Sequence, residues 1–435
     1  MASEGFAPAI APVRANLDTR IAEAGFVLLL LLTLVGLTPF DARNPAAIAA
    51  RDAASAAGDL VRQVTFLGTF LLIAFAAVRI RGIAILRAVP PMLGVLLAWC
   101  LLSALWSSEP EIVARRGVLA AIFVMSMLFA VDTLGTTRTL ALWRWVLAAI
   151  IVADIASVFL VHQAVHLPDD VEPGLAGAWR GLHSHKNAAG AVAATATMVF
   201  FFFALESRRR SDTLLCLASL FFLVMTRSKS SLGLLPVALV AGGLYRFAWR
   251  NTLDRAIAGI VALLALLAAA VLVTTQWDML ARFLEDPQQF TGRAAIWAAE
   301  LDYIRDHPLL GAGFGSFGNT GVRSPIYHYV GPGWVSQIGE GHSGYLEMIV
   351  TIGGIGFLIG MLALVVLPFL QFWRPERRDA NFNALLFALF AFDILHNFME
   401  SDFITVTSVQ WGLLLMVIAL LRVSQREMRA REAVP

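Results

Sequence analysis

Charge is scarce in this chain, and lysine is scarcer still. Asp, Glu, Lys and Arg make up 15% of its 435 residues, and Lys186 and Lys229 are its two lysines. Soluble domains carry about 25% charged residues, so a solvated surface of ordinary extent is excluded. Cys100 and Cys216 both sit inside apolar runs, which excludes a disulfide framework and a thiolate metal centre. The net charge of +2, with no basic stretch interleaved with aromatics, argues against nucleic acid. Internal repeats and low-complexity tracts are absent. The first stretch of chain has no continuous apolar core, so a cleavable signal peptide is not expected.

What is present is apolar. Hydrophobic residues make up 58% of the chain, and runs such as Gly25–Phe40 and Ile257–Thr275 approach bilayer-crossing length. An open sheet edge cannot sit in hydrocarbon, so the predicted fold is an all-α polytopic helix bundle of about 12 transmembrane helices. The expected spans are 22–40, 64–80, 88–106, 116–134, 141–163, 188–205, 212–226, 231–248, 254–275, 344–372, 382–397 and 403–421. Pro90 and Pro91 open the third, where proline does least harm to a helix.

Placing the N-terminus in the cytoplasm puts most Lys and Arg residues on the inner side, as the positive-inside rule asks. Inner clusters are Arg208–Arg210, Arg246/Arg250/Arg255, Arg374/Arg377/Arg378 and the Arg-rich tail from Arg422. Both ends are therefore expected inside. The division is residues 1–275 with helices 1–9, a long outer loop over 276–342, and 343–435 with helices 10–12 and a basic tail. Within the loop, Ile296, Trp297, Leu301 and Ile304 fall near one face of an amphipathic helix. That helix should stop around His307, since Pro308 disfavours helical geometry just before it.

Polar chemistry gathers at span boundaries on the outer side. "AWRGLHSHKN" carries Arg180, His183, His185, Lys186 and Asn187; "TRSKSS" carries Arg227 and Lys229. "TGRAAIW" carries Arg293, and "EGHSGYLE" carries His342, Tyr345 and Glu347. Singly, each has a bland reading: a snorkelling arginine, or a histidine satisfied at an interface. His183 and His185 lack the spacing context of a zinc site, so no metal is expected. "GAGFGSFG" follows Pro308 rather than a strand, so it is not read as a nucleotide loop. Asp154 and Asp393 lie within spans, where an ionisable group is a functional candidate, although Asp393 could equally form a structural pair with His396. Together the four outer sites place cations and helix-start N–H groups where a phosphate or diphosphate binds. A nearby histidine suits a general base. The combination suggests chemistry on a lipid-linked phosphate.

These motifs resemble the O-antigen ligase / Wzy-type polymerase superfamily over about Arg180 to Gly356. "TGRAAIWAAELDYIRDHPLLGAGFGSFG" is similar to its signature, and "EGHSGYLEMIVTIGGIG" to the segment that closes its long extracytoplasmic loop. "GLHSHKNAAG" looks most like the exopolysaccharide polymerase (ExoQ-like) branch. One departure is Ser343, where many members carry Asn after the histidine. The resemblance implies a GT-C-like fold in the bacterial inner membrane and a metal- and cofactor-independent, inverting glycosyltransferase. It would move a glycan from undecaprenyl diphosphate to an acceptor hydroxyl on the periplasmic side. The lack of Asp-x-Asp in the outer loops fits arginines in place of a metal. Partners implied are the lipid-linked oligosaccharide donor, a glycan acceptor, the bilayer, and chain-length regulators or export proteins. The expected base is His342. Arg180, Arg227 and Arg293 should bind the donor diphosphate with help from Lys186 and Lys229. His185, Asn187, Tyr345 and Glu347 would support, with Glu347 orienting the histidine. The aromatics over Tyr327–Trp334 form either a sugar platform or rings at the membrane interface. Ligation to lipid A-core is the alternative within the family. A lipid-linked oligosaccharide transporter is the distant one, disfavoured because the halves do not repeat.

Overall fold

Hydrophobic residues on every face of a helix leave it no polar side to turn to water, and this pattern governs the architecture. In a computed structural model the described residues are 17–44, 46–47, 58–170, 173–249, 252–275, 293–318, 320, 323–331, 335, 341–373, 379–406 and 408–432. Trp334, Arg250, Arg374, Arg377, Arg378 and residues 276–292, the first part of the loop expected on the outer side, lie outside them. Helices α1 (Leu17–Leu34), α2 (Leu60–Arg81), α3 (Pro91–Leu102) and α4 (Pro110–Leu160) come first. Then follow α5 (Lys186–Ser207), α6 (Arg210–Thr226), α7 (Lys229–Ala248) and α8 (Thr252–Thr275). α9 (Arg293–Asp306), α10 (Gly344–Phe372), α11 (Ala380–His396) and α12 (Val409–Glu432) complete the bundle. Among the described residues the only extended pairing is one bridge, Val165 with Trp179.

Each predicted span coincides with a helix, but length and apolarity sufficient to cross a membrane are met by 6 of the described helices: α2, α4, α5, α7, α10 and α12. The expectation of about 12 crossing helices therefore holds in position and only partly in length. α3, α6 and α11 are shorter, and α1 spends three charges, Asp18, Arg20 and Glu23, in its first half. Two expected spans share α4, whose helices meet at Gly135 (φ 75°). The last expected span starts later, at Val409, because 397–406 forms a turn rather than helix.

α5 and α12 lie deep inside, whereas α2 exposes Leu67, Leu71, Phe75 and Val78, as a lipid-facing helix does. Lipid offers no hydrophobic drive for helix pairing, so close backbone approach supplies it. At Gly242 of α7 an added Cβ would stand 2.7 Å from the Ala384 carbonyl of α11. The small residues Ala188–Thr197 give α5 a similar face.

α9 ends at Asp306, before Pro308 as expected. Its buried face differs from the expected one: Ile296, Ala299, Glu300 and Tyr303 point inward while Leu301 is exposed. The glycine cluster then docks on α10. Ala312 and Gly313 N–H donate to the Val350 and Thr351 carbonyls at 2.9 and 2.8 Å, and Gly354 N–H donates to Pro308 at 2.8 Å. These carbonyls and N–H groups are free because α10 breaks at Gly353 (φ 71°, ψ 174°). Trp99 and Trp106 seal the joint by donating to the Ile352 and Leu310 carbonyls at 2.9 and 3.0 Å. A Cβ at Gly353 would stand 2.1 Å from the Leu309 carbonyl. The signature's glycines are thus a joint that holds α9 against α10.

At the end opposite this joint, Asp132 of α4 takes Arg81 at 3.1 Å and Arg426 of α12. Gly353→Ala should lower the apparent melting temperature in detergent by several degrees, since the left-handed φ alone costs about 1–3 kcal/mol. Gly233→Ala, where a Cβ meets open space, should leave the melt unchanged.

Candidate active site

After α11 the chain turns through 397–406, and Asn397 organises this turn. Its Oδ1 accepts the Asp402 and Phe403 N–H groups at 3.1 and 2.9 Å. The start of α10 is tied to the same turn. Gly344 N–H donates to the Asn397 and Glu400 carbonyls at 2.8 and 3.0 Å, and Ser343 N–H donates to Ser401 Oγ at 3.1 Å. Ser343, which departs from the usual Asn, therefore contributes its backbone to the joint. His342, one residue before, holds a left-handed backbone (φ 54°), uncommon for a side-chain-bearing residue and concentrated at functional sites.

Glu400 stands at the centre. Its Oε1 accepts Arg293 Nη2 and Asn187 Nδ2, both at 2.9 Å, and its Oε2 lies 3.3 Å from His342 Nδ1. Arg293 also donates from Nη1 to the Met399 carbonyl. Burial opposes ionisation of Glu400, but the hydrogen bond from His342 and the charge of Arg293 prevail and hold its carboxyl at about 2. An ionised carboxylate can only accept, so Nδ1 of His342 carries the proton and Nε2 is the nitrogen that turns away from the carboxylate. Three segments far apart in sequence thus assemble an imidazole, its carboxylate partner and a guanidinium whose fork is only partly used.

His342 and Glu400 open on a cavity of about 330 Å³, and Arg293 is tied to it through Glu400. Its walls include Arg43, His185, Asn187, His342 and Glu400. Of the residues expected from sequence, the structure brings together His342, Arg293, Asn187 and His185. His185 caps α5, its Nδ1 accepting the Asn187 N–H at 3.2 Å.

The others lie elsewhere. Arg180 is fully buried and donates to the Asp41 and Ser184 carbonyls at 2.7 and 3.1 Å, so it clamps two loops. Arg227 caps α6 in a left-handed conformation; it and Lys229 are exposed outside the cavity wall. Lys186 reaches the Arg227 carbonyl at 3.3 Å. Glu347 accepts the Gly341 N–H at 2.9 Å, so the carboxylate on His342 is Glu400 instead. Tyr345 donates to the Ile394 carbonyl at 2.8 Å and packs on Phe398 and Phe403, joining α10 to α11. Asp154 receives the Leu182 N–H at 2.9 Å and faces His183 at 3.1 Å, a structural pair. His396 pairs with Asp402 at 2.6 Å rather than with Asp393, because the turn carries Asp402 back onto the helix end.

Sequence reasoning missed Glu400 and Arg43. Glu400 lies in "HNFMESDF", where acidic residues at a span's end were the available signal, and Arg43 lies in the loop between α1 and α2.

An all-helical membrane bundle with a histidine–carboxylate–arginine cluster at the mouth of its helices is the class that fold and site define. Residues 214–361 match the family model described as O-antigen ligase, which supports the resemblance of the motifs to the O-antigen ligase / Wzy-type superfamily. The match includes Arg293 and His342 and ends before Glu400. None of the curated proteins matches the chain.

Glu400 is held below its usual carboxylate range, so it stabilises the fold above pH about 4.5, and this contribution fades as pH falls toward about 2. Wild-type protein in detergent should melt higher than Glu400→Gln at pH 7, and the gap should close in acid. Glu300 has the opposite sign: burial, then the neighbouring Glu347, raises its carboxyl well above normal. Its contribution is present below pH about 4.5 and is lost as pH rises, so Glu300→Gln should melt at or above wild type at pH 7.

Proposed function

We propose that this cavity is the transfer site of a periplasm-facing glycosyltransferase that polymerises undecaprenyl-diphosphate-linked repeat units into an exopolysaccharide. The observation that carries the reading is the Glu400 cluster, which sets the His342 imidazole beside the Arg293 guanidinium. In the reaction, the acceptor sugar's hydroxyl oxygen attacks the anomeric carbon from the face opposite the diphosphate. His342 Nε2 takes the hydroxyl proton as the new glycosidic bond forms. The bond from the anomeric carbon to the phosphate oxygen breaks, and undecaprenyl diphosphate leaves with the electron pair. Arg293, bonded to Glu400 on the cavity wall, and Arg43, which lines the cavity, stabilise that developing charge more than the ground state. Opposite-face attack inverts the anomeric centre, and cations at the phosphate make the reaction metal-independent.

Ionised Glu400 serves both groups, orienting the imidazole and stabilising the imidazolium that forms. The positive-inside distribution of Lys and Arg supports a periplasmic cavity with cytoplasmic termini in the inner membrane. A second reading, ligation of a finished glycan to lipid A-core, is favoured by the description of the matched family. The "GLHSHKNAAG" resemblance favours polymerisation.

The test is a glycan ladder from purified protein, lipid-linked oligosaccharide and excess EDTA. Arg293→Ala should slow it on the order of 10²–10³-fold, and His342→Ala about 10²–10⁴-fold. Arg293→Lys should rescue poorly, because the planar fork is lost. Full activity in both alanine variants would overturn the site. In cells lacking the protein, single repeat units left on the carrier indicate polymerisation, and full-length polymer left there indicates ligation.

A further inference from the structure

Two buried side chains on the cavity wall present polar atoms that the reaction just described does not use. His396, at the end of α11, is 2% exposed, and its Nδ1 meets Asp402 Oδ2 at 2.6 Å. Asp402 is itself fixed: Ser408 Oγ donates to its Oδ1 at 2.6 Å, and Ser408 Oγ accepts the Gln410 and Trp411 N–H groups at the start of α12. The ring also stacks on Phe392, 5.5 Å between centroids. His396 cannot turn, and its Nε2 is buried without a hydrogen-bond partner. Gln410, 1% exposed in the first turn of α12, leaves both Nε2 and Oε1 buried without partners. Both residues line the same cavity as His342.

Buried polar groups are nearly always hydrogen-bonded, and one left alone is destabilising. Three such atoms on one wall therefore mark a surface built for a polar occupant. Their chemistry restricts it. An amide offers one donating and one accepting end, and Nε2 accepts or donates according to the ring's proton. A hydroxyl does both, so two adjacent hydroxyls satisfy all three atoms. An anion does not: it would face Gln410 Oε1 and lie close to the Asp402 and Glu400 carboxylates.

We propose that His396 and Gln410 form a neutral-sugar subsite that holds adjacent hydroxyls of a glycosyl unit beside the reacting centre. The subsite deepens the transfer reading and rests on it for the sugar's place next to His342. It divides the cavity by function: Arg293 faces the diphosphate, and His396 with Gln410 reads the glycan. Asp402 acts through His396 and is a positioning residue. The sugar belongs either to the lipid-linked donor or to the acceptor, and the shared hydroxyl chemistry is the claim.

Binding to detergent-purified protein tests this with three probes: bare undecaprenyl diphosphate, the lipid-linked oligosaccharide that accumulates when the protein is disabled, and the same glycan released from its lipid. Gln410→Met is the leading variant, because it keeps the volume and removes both amide atoms. His396→Ala leaves Asp402 unpaired and can fail to fold. Gln410→Met should weaken a glycan-bearing probe by about 5- to 20-fold, the loss of one or two hydrogen bonds. Bare undecaprenyl diphosphate should bind as to wild type. Loss confined to the lipid-linked probe assigns the subsite to the donor, and loss confined to the released glycan assigns it to the acceptor. Unchanged binding of both glycan probes overturns the subsite, as does equal weakening of all three. Arg293→Ala is the separate arm: it should weaken both lipid probes. Wild-type binding there would refute the diphosphate reading while a selective Gln410→Met loss left the sugar subsite standing.

Discussion

A carboxylate taken out of water must be repaid by charge and hydrogen bonds, and Glu400 obtains both from three distant parts of the chain. Asn187 comes from the start of α5, Arg293 from the start of α9, and His342 from the residue before the α10 cap. Neutralising it would release all three at once. The same carboxylate fixes which nitrogen of His342 carries the proton, so a structural requirement and a chemical one are met by a single group.

The scaffold is arranged to make that meeting rigid. α10 is broken at Gly353 so that the 308–313 backbone can bond into it, and this joint anchors the end of α9. The Asn397 turn brings Glu400 and the start of α10 together through paired backbone bonds. The cavity is floored by small residues of α5, including Ala188 and Ala191, which leave room for an occupant. Positioning of this kind is worth more to a transfer reaction than any further contact, since misplacement by 1 Å costs about 10²-fold.

Composition and span pattern made the helical bundle legible, because lipid imposes apolarity on every face. The site was legible where chemistry sits beside a recognisable helix start, as with His342, Arg293 and Asn187. It was illegible where tertiary packing decides. Glu400 looks in sequence like one more polar residue capping a span, and its meaning depends on residues 58, 107 and 213 positions away. Arg180 looked like a free cation because sequence does not show that loop carbonyls consume its guanidinium. The expected face of α9 slipped for a related reason. Leu301 matches the apolar period, yet packing against α10 selects the face with Ala299 and Glu300.

The account stands on the donor diphosphate meeting Arg293 while a sugar hydroxyl meets His342. A cryo-EM structure with the lipid-linked oligosaccharide bound to the His342→Ala protein tests this most directly. The account places phosphate oxygens within hydrogen-bonding distance of the Arg293 guanidinium, with the glycan running toward His396 and Gln410. A diphosphate bound instead at Arg227 and Lys229, with the Glu400 cavity holding no part of the donor, would contradict it.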